Sequence, residues 1–274
     1  MTSPSRPVDP IDRAHLTGVS APTPPIHRYD ASPRVATIAR RYWVPVWDIP
    51  DGQVHTQKVL QYPICLIVVS ADYGRFYGVT PGASTVDLAG RGWAFGTMLQ
   101  PAAGRLLWQR PVSQLTDRHV DIDDVPGLAG ADLTSVIRTI MTPDPSDPAR
   151  HAEAIAFTEE LLAGHLPIDG TGMLINAIVE RVESDQGITR VDQLAEAFAL
   201  SERQLQRISR DRLGLTPKWL IQRRRLHDAT LRLKDGAVSL ADIACELGYS
   251  DQAHFTRDFS QVTGMPPGAY LADQ

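Results

Sequence analysis

The stretch LADIACELGYSDQAHFTRDFSQVTGMPPGAY, residues 240–270, decides how the chain is read. Ile243, Ala244 and Leu247 recur at helical spacing, so the stretch begins as a short amphipathic helix. Gly248 can take the left-handed conformation that ends such a helix, and Ser250 starts a second one. In the second helix Phe255 and Phe259 stand four residues apart and share a face. Burying both rings leaves Gln252, Ala253, His254 and Arg257 on the outer side. A short helix, a tight turn and a second helix held down by apolar residues make the helix-turn-helix layout, whose second helix displays its outward side chains.

The same device occurs once more upstream. In VDQLAEAFALSERQLQRI, residues 191–208, Leu194, Ala195 and Phe198 take the places of Ile243, Ala244 and Leu247. Leu205 and Ile208 hold down the second helix, and Glu202, Arg203, Gln206, Arg207 and, one turn on, Arg210 are left outside. The small Ala of each copy lets the two helices cross closely. Ala199 occupies the place of Gly248, so the first turn is expected to be built differently or under strain. Between the copies, TPKWLIQRRRLHDATLRLKDG, residues 216–236, predicts one long helix with Trp219, Leu226, Ala229 and Leu233 near helical spacing.

Helix ends are marked throughout this half. Thr189-x-x-Asp192, Ser201-x-x-Gln204 and Ser239-x-x-Asp242 read as capping boxes, Thr216-Pro217 as an N-cap followed by Pro, and Gly236 and Gly264 as C-terminal stops. The pattern predicts helices over 190–198, 202–212, 217–234, 240–246, 251–262 and a short one from about 267.

The net charge of −5 does not suggest a nucleic-acid binder, but charge is unevenly placed. Residues 201–234 carry ten Lys and Arg against three acids, whereas from 235 onward Arg257 alone faces six acids. Attraction to phosphate supplies much of the affinity for DNA, so the basic segment is expected to dominate binding. Candidate phosphate contacts are Ser201, Lys218, Arg223, Arg224, Arg225 and Ser250. The run Arg223–Arg225 reads equally as a phosphate clamp or as ion-pair partners of acids such as Asp228.

Residues 187–273 resemble the DNA-binding domain of the AraC/XylS family of transcription regulators. IACELGYSDQAHFTRDFSQVTGMPPGAY carries that family's I-A, G-F/Y-x-S/D, F-x-R-x-F and G-x-x-P-x-x-Y elements at the right spacing. LSERQLQRISRDRLGLTPKWLIQRRRL carries the first-unit pattern S-x-x-x-L-x-R followed by G-x-S/T-P. The chain departs from the pattern at Ser260-Gln261, where a basic pair is usual, at Leu271 in place of an Arg, and at Ile208 in place of a Phe. The resemblance implies DNA contacts from Arg203, Gln206 and Arg207 and from Gln252, Ala253, His254 and Arg257. Arg can bridge guanine O6 and N7, and Gln can bridge adenine N6 and N7. It further implies double-stranded DNA as partner, with RNA polymerase, a small-molecule effector and a second copy of the chain as candidates. Activation is the family's commoner mode.

Upstream, residues 1–30 form a Pro-rich stretch that reads as a disordered or extended arm. Residues 31–126 have β texture, in short runs such as RRYWVPVWDI, KVLQYPICLIVVS, GWAFGTML and RLLWQ separated by turn residues. These runs predict an antiparallel sandwich or small barrel; the family resemblance implies that such an N-terminal domain senses a small molecule or mediates dimerisation. Residues 127–186 turn helical, in ADLTSVIRTIM, in ARHAEAIAFTEELLAG and from about Gly172 to Glu183. The fold class is α+β: a β-rich, sandwich- or barrel-like N-terminal domain with following helices, then an all-α double helix-turn-helix domain over 187–274. Trp43, Trp47, Phe76, Trp93 and Phe95 are candidate walls of a ligand pocket, although aromatics at strand spacing are more often core.

Several other classes are disfavoured. GRGWAFG lacks the following Lys-Ser/Thr of a phosphate cradle and reads as turn plus strand. The eight His show no metal-ligand spacing, so neither a metal nor another cofactor is expected. Cys65 and Cys245 sit in apolar-rich stretches and read as two buried thiols in a reducing compartment. Two Cys cannot supply the zinc and acceptor sites of the DNA-repair methyltransferases that share this type of helix-turn-helix, and no G-x-S-x-G occurs, so an enzyme is not expected. No signal peptide and no run of 18 apolar residues is present, which predicts a soluble, cytoplasmic protein. Two regulator readings remain, one responsive to a ligand and one constitutive, with the β domain serving only to dimerise.

Overall fold

The computed structural model describes residues 25–60, 62–235 and 239–272. Residues 1–24 of the Pro-rich stretch, and Gly236 with its expected helix stop, lie outside them. The fold is α+β. Strands β1 (Ile26–Asp30), β2 (Ala39–Asp48), β4 (Leu66–Ser70), β5 (Gly74–Tyr77), β7 (Arg91–Leu99) and β8 (His119–Asp121) form one sheet in the order β1-β2-β7-β4-β5-β8. Its ladders are all antiparallel. Strands β3 (His55–Leu60) and β6 (Ala83–Leu88) pair as a separate antiparallel ribbon.

Alternation along the strands sorts the aromatic residues onto two faces. Tyr42 pairs with Thr97, Ile67 with Thr97, and Val69 with Phe95. These side chains are sealed in the main apolar core together with Phe76 and Trp93. The opposite face carries Trp43 and Trp47, whose indoles lie over Gly96 and Gly92. A Cβ on Gly96 would sit 2.2 Å from the Trp43 ring, so only Gly lets the indole lie flat on the sheet.

The sealed face is covered by α2 (Leu133–Met141), α3 (Pro148–Ala163) and α4 (Gly170–Ser184). Asp147 and Asp169 cap α3 and α4 by accepting from Ala149 N at 2.8 Å and Gly172 N at 2.6 Å.

Four expectations are corrected. RLLWQ is not a strand but the end of a short helix, α1 (Ala103–Trp108). Ala103 and Leu107, one turn apart, are both fully buried, and so short an apolar run does not distinguish the two geometries by pattern. KVLQYPICLIVVS is not one strand, because Pro63 has no N–H to give a ladder and the run divides between ribbon and sheet. The arm is not unstructured to residue 30, since β1 pairs with β2 from Ile26 to Asp30. Cys65 is buried and its thiol is pushed up to about 12 by burial, but Cys245 is exposed.

Candidate nucleic-acid interface

Among the described residues six helices follow: α5 (Val191–Ala197), α6 (Glu202–Leu213), α7 (Pro217–Asp235), α8 (Leu240–Glu246), α9 (Gln252–Thr263) and α10 (Pro267–Ala272). Each start has a local cause. Ser201 and Gln204 satisfy each other's backbone N–H groups in a reciprocal capping box. Ser239 Oγ accepts from Asp242 N at 3.1 Å, and Thr216 Oγ1 accepts from Trp219 N at 3.1 Å. The first box differs by one residue from its expected place, because Gln193 Oε1 takes the N–H of both Thr189 and Arg190. At α9 the cap is Asp251, whose carboxyl is held below the usual range chiefly by the His254 N–H donated to it.

The two turns are superposable in their bonding. Leu200 N donates to Ala195 O at 2.9 Å, and Tyr249 N donates to Ala244 O at 2.8 Å. Closing this loop requires a left-handed residue, which is Gly248 at φ 74° in one copy and Ala199 at φ 51° in the other. The expected strain at Ala199 is therefore present.

On α6, Leu205, Ser209 and Leu213 are buried along one stripe. Glu202, Arg203, Gln206, Arg207 and Arg210 are exposed on the opposite side. Arg203, Arg207 and Arg210 make no ion pair or side-chain hydrogen bond among the described residues. On α9, Phe255 and Phe259 are fully buried. Gln252, Ala253 and Arg257 are exposed, whereas His254 is half-buried, with Nδ1 3.1 Å from Ser250 Oγ and Nε2 3.8 Å from Asp258. Lys218, Ser201 and Ser250 are exposed.

The Arg223–Arg225 run is corrected as a phosphate clamp. Arg223 is 3% exposed and lies over the Tyr62 ring, and Arg224, 4% exposed, donates to Ile188 O and to Asp228. Arg225 is half-buried, 3.8 Å above the centre of the Tyr249 ring, and burial lowers its pKa. Burial also pushes the Tyr249 hydroxyl up to about 12, against the opposing pull of Arg225. These guanidiniums are engaged within the protein, against Tyr62, Ile188 and Tyr249 in the segments that flank α7.

The five pocket candidates do not converge. Phe76, Trp93 and Phe95 are buried core, and Trp43 and Trp47 are half-buried on the other face of the sheet.

Sequence reasoning missed the seat of the first unit on the N-terminal half. Arg212 donates to both oxygens of Asp169 at 3.1 and 2.7 Å, which holds that carboxyl below its usual range. Arg105 lies 3.5 Å from Asp211, Thr116 Oγ1 donates to Gly214 O, and Trp219 Nε1 donates to Pro81 O at 2.8 Å. Leu194, Leu205 and Leu213 accordingly share one apolar core with Phe95 and Ile175. The second unit closes a separate core around Leu226, Phe255, Phe259 and Tyr270. Arg212 and Asp211 carried no signal in the sequence beyond their charge, because their partners are distant in the chain.

Two helix-turn-helix units joined by one helix define the class: a double helix-turn-helix protein with an appended β-rich domain. The family model for a helix-turn-helix domain matches residues 194–273, and a domain of unknown function, DUF6597, matches residues 27–121. A probable transcription factor of Proteus vulgaris, PqrA, is 33% identical over 101 residues, covering 35% of this chain and 82% of that protein. An uncharacterized HTH-type transcriptional regulator of Haemophilus influenzae is 30% identical over 97 residues, 35% of this chain and 33% of its own. The HTH-type transcriptional activator RhaS of Escherichia coli is 38% identical over 76 residues, 28% of this chain and 27% of its own. The chain thus spans about a third or less of the length of the last two relatives. The chain belongs to the AraC/XylS family of transcription regulators. No helix among the described residues is long and apolar enough to cross a membrane.

Proposed function

We propose that the protein is a sequence-specific DNA-binding regulator of transcription whose two helix-turn-helix units read adjacent major-groove segments. The observation that carries this reading is α6, where three arginines without internal partners and Gln206 stand on one exposed face opposite a buried stripe. Uncompensated cations beside a Gln suit phosphate attraction combined with bidentate base readout. In the second unit Gln252, Ala253 and Arg257 hold the equivalent positions, with the half-buried His254 at the edge. Exposed Ser201, Lys218 and Ser250 are the remaining phosphate contacts. The name of RhaS supports activation as the mode of action. Control by a small molecule bound to the N-terminal half fits the shared core, through which a ligand's effect can reach the first unit.

The test is selection of genomic DNA fragments by the full-length protein, followed by footprinting at two salt concentrations. The expected footprint covers two major-groove segments about 34 Å apart and weakens with salt. Retention of random fragments as strongly as the best genomic one would remove the claim of sequence-specific regulation.

A further inference from the structure

Trp219 and Arg223 stand one turn apart on α7, and both find partners at one end of the β3–β6 ribbon. Among the described residues that ribbon forms no ladder with the six-stranded sheet. Two strands alone are marginally stable, so the ribbon's placement depends on what its ends touch. At the end where Leu60 pairs with Ala83, the chain leaves β3 toward Tyr62 and enters β6 from Pro81. The Tyr62 ring lies 4.1 Å from the Arg223 guanidinium and 4.9 Å from that of Arg40 on β2. Glu183 of α4 stands 3.2 Å from Arg40 and 3.9 Å from Arg223, and Tyr62 packs with Leu66 and Met98 of the sheet. Pro81 O accepts from Trp219 Nε1 at 2.8 Å. The segment that leads to Pro81 is itself tied down, since Gly78 N donates to Arg118 O at 2.9 Å and Val79 O accepts from Asp117 N at 3.0 Å.

The same ribbon end reaches past α7 to the second unit. Ala83 packs against the core of Leu226, Phe255, Phe259 and Tyr270, and a Cβ on Gly82 would lie 4.0 Å from Val262 O of α9. Along α7, Leu220 and Ile221 belong to the main core, whereas Leu226, Ala229 and Leu233 belong to the second. We propose that the Leu60–Ala83 end of the ribbon is the element that couples the N-terminal half to the second unit. It fixes α7 just before the change of core and braces α9 beyond it, so it sets where the second unit stands. Movement of the ribbon then reaches the second unit without passing through the first. The consequence for DNA, a fixed separation of the two outward helix faces, rests on the regulator reading above; the positioning itself does not.

Pulsed electron spin resonance on the full chain without DNA measures that positioning. Cys245, exposed on α8, accepts a spin label while buried Cys65 does not, and Ser135→Cys on the exposed side of α2 supplies the second label. The distance between the two labels should be single and narrow. Ala83→Asp sets a carboxylate against the second core and should shift or broaden the distance. Trp219→Phe removes only the N–H given to Pro81 and should broaden it less. Thr85→Asp, two residues along the same face of β6 and exposed, should leave it unchanged. The proposal is overturned if the parent protein gives a broad distribution, if Ala83→Asp and Trp219→Phe both keep the parent distance, or if Thr85→Asp disturbs it equally. In footprinting, Ala83→Asp should lose protection over one of the two major-groove segments and keep the other; full protection of both would overturn the consequence for DNA. If the wild type binds no DNA at all, the regulator reading falls and the distances still decide the coupling.

Discussion

The two helix-turn-helix units share a plan and differ in what holds them in place. The first has no core of its own, since its Leu194, Leu205 and Leu213 complete the core of the N-terminal half, and Arg212 and Arg105 add ion pairs across the seam. The second closes its own core of edge-to-face aromatics, with Phe255 against Phe259 and Phe259 against Tyr270 at centroid distances of 5.7 and 5.6 Å. The exposed side of the first is basic, whereas the second carries a single Arg beyond residue 234. Duplication of a fold has not produced duplicate roles: one unit shares its core with the N-terminal half, the other packs on Leu226, Ala229 and Leu233 of α7.

The largest effects should come from the cores. Phe259→Ala removes a fully buried ring, at a cost of about 3–5 kcal/mol. Because its core is separate, amide protection should fall across α8–α10 while β7 and α6 keep theirs. Leu205→Ala should cost about 2–5 kcal/mol and lower protection in the sheet and the first unit together. Hydrogen exchange distinguishes the two patterns, and uniform loss in both variants would break the division into two cores.

Next comes DNA affinity. Arg203→Ala or Arg207→Ala should each weaken binding by about 1–3 kcal/mol, since each removes an exposed, internally unpaired guanidinium from the basic unit. Arg257→Ala should cost less, because the acids around it already oppose approach to phosphate. Equal losses in a titration of the purified variants would remove the asymmetry.

The turns offer a finer comparison. Ala199→Gly relieves a left-handed Ala and should stabilise the protein by about 0.5–1 kcal/mol. Gly248→Ala should destabilise it by a similar or larger amount, through its φ of 74° rather than through crowding, since the nearest atom to an added Cβ is Thr189 Cγ2 at 3.6 Å. Melting temperatures that move in the same direction for both variants would show that the two turns do not share a constraint.

The helices from 191 onward were legible because several carry their own start or stop, from the Ser201–Gln204 box to Gly264 in the left-handed conformation. Even the strain at Ala199 could be read, by aligning it with Gly248. The outward face of α6 followed from period alone. The roles of Arg223 and Arg224 did not, because a run of arginines says nothing about whether Tyr62, Glu183 or Ile188 waits beside it in space. The aromatics of the sheet failed for a related reason: strand period places Trp43 and Phe95 on opposite faces only once the pairing register is known.

The smallest effect concerns the Arg212–Asp169 ion pair that ties the first unit down, which has no counterpart on the second among the described residues. Asp169 both caps α4 and accepts two hydrogen bonds from Arg212, so Asp169→Asn isolates the ion pair, because Asn caps a helix as well as Asp does. The folded-state pKa of Asp169 is depressed, chiefly by Arg212, so its contribution is complete above the unfolded value of about 3.9 and is lost as pH falls through the lower folded value. The carboxyl is 56% exposed, which limits the contribution to about 0.2–1 kcal/mol. Thermal melts should therefore separate wild type from the Asn variant slightly at pH 7 and converge as pH falls through the depressed folded-state value, where the Asp169 carboxyl becomes neutral. A variant indistinguishable at pH 7 would mean that the apolar core alone seats the first unit, and the contrast between the units would then rest on their cores and surface charge.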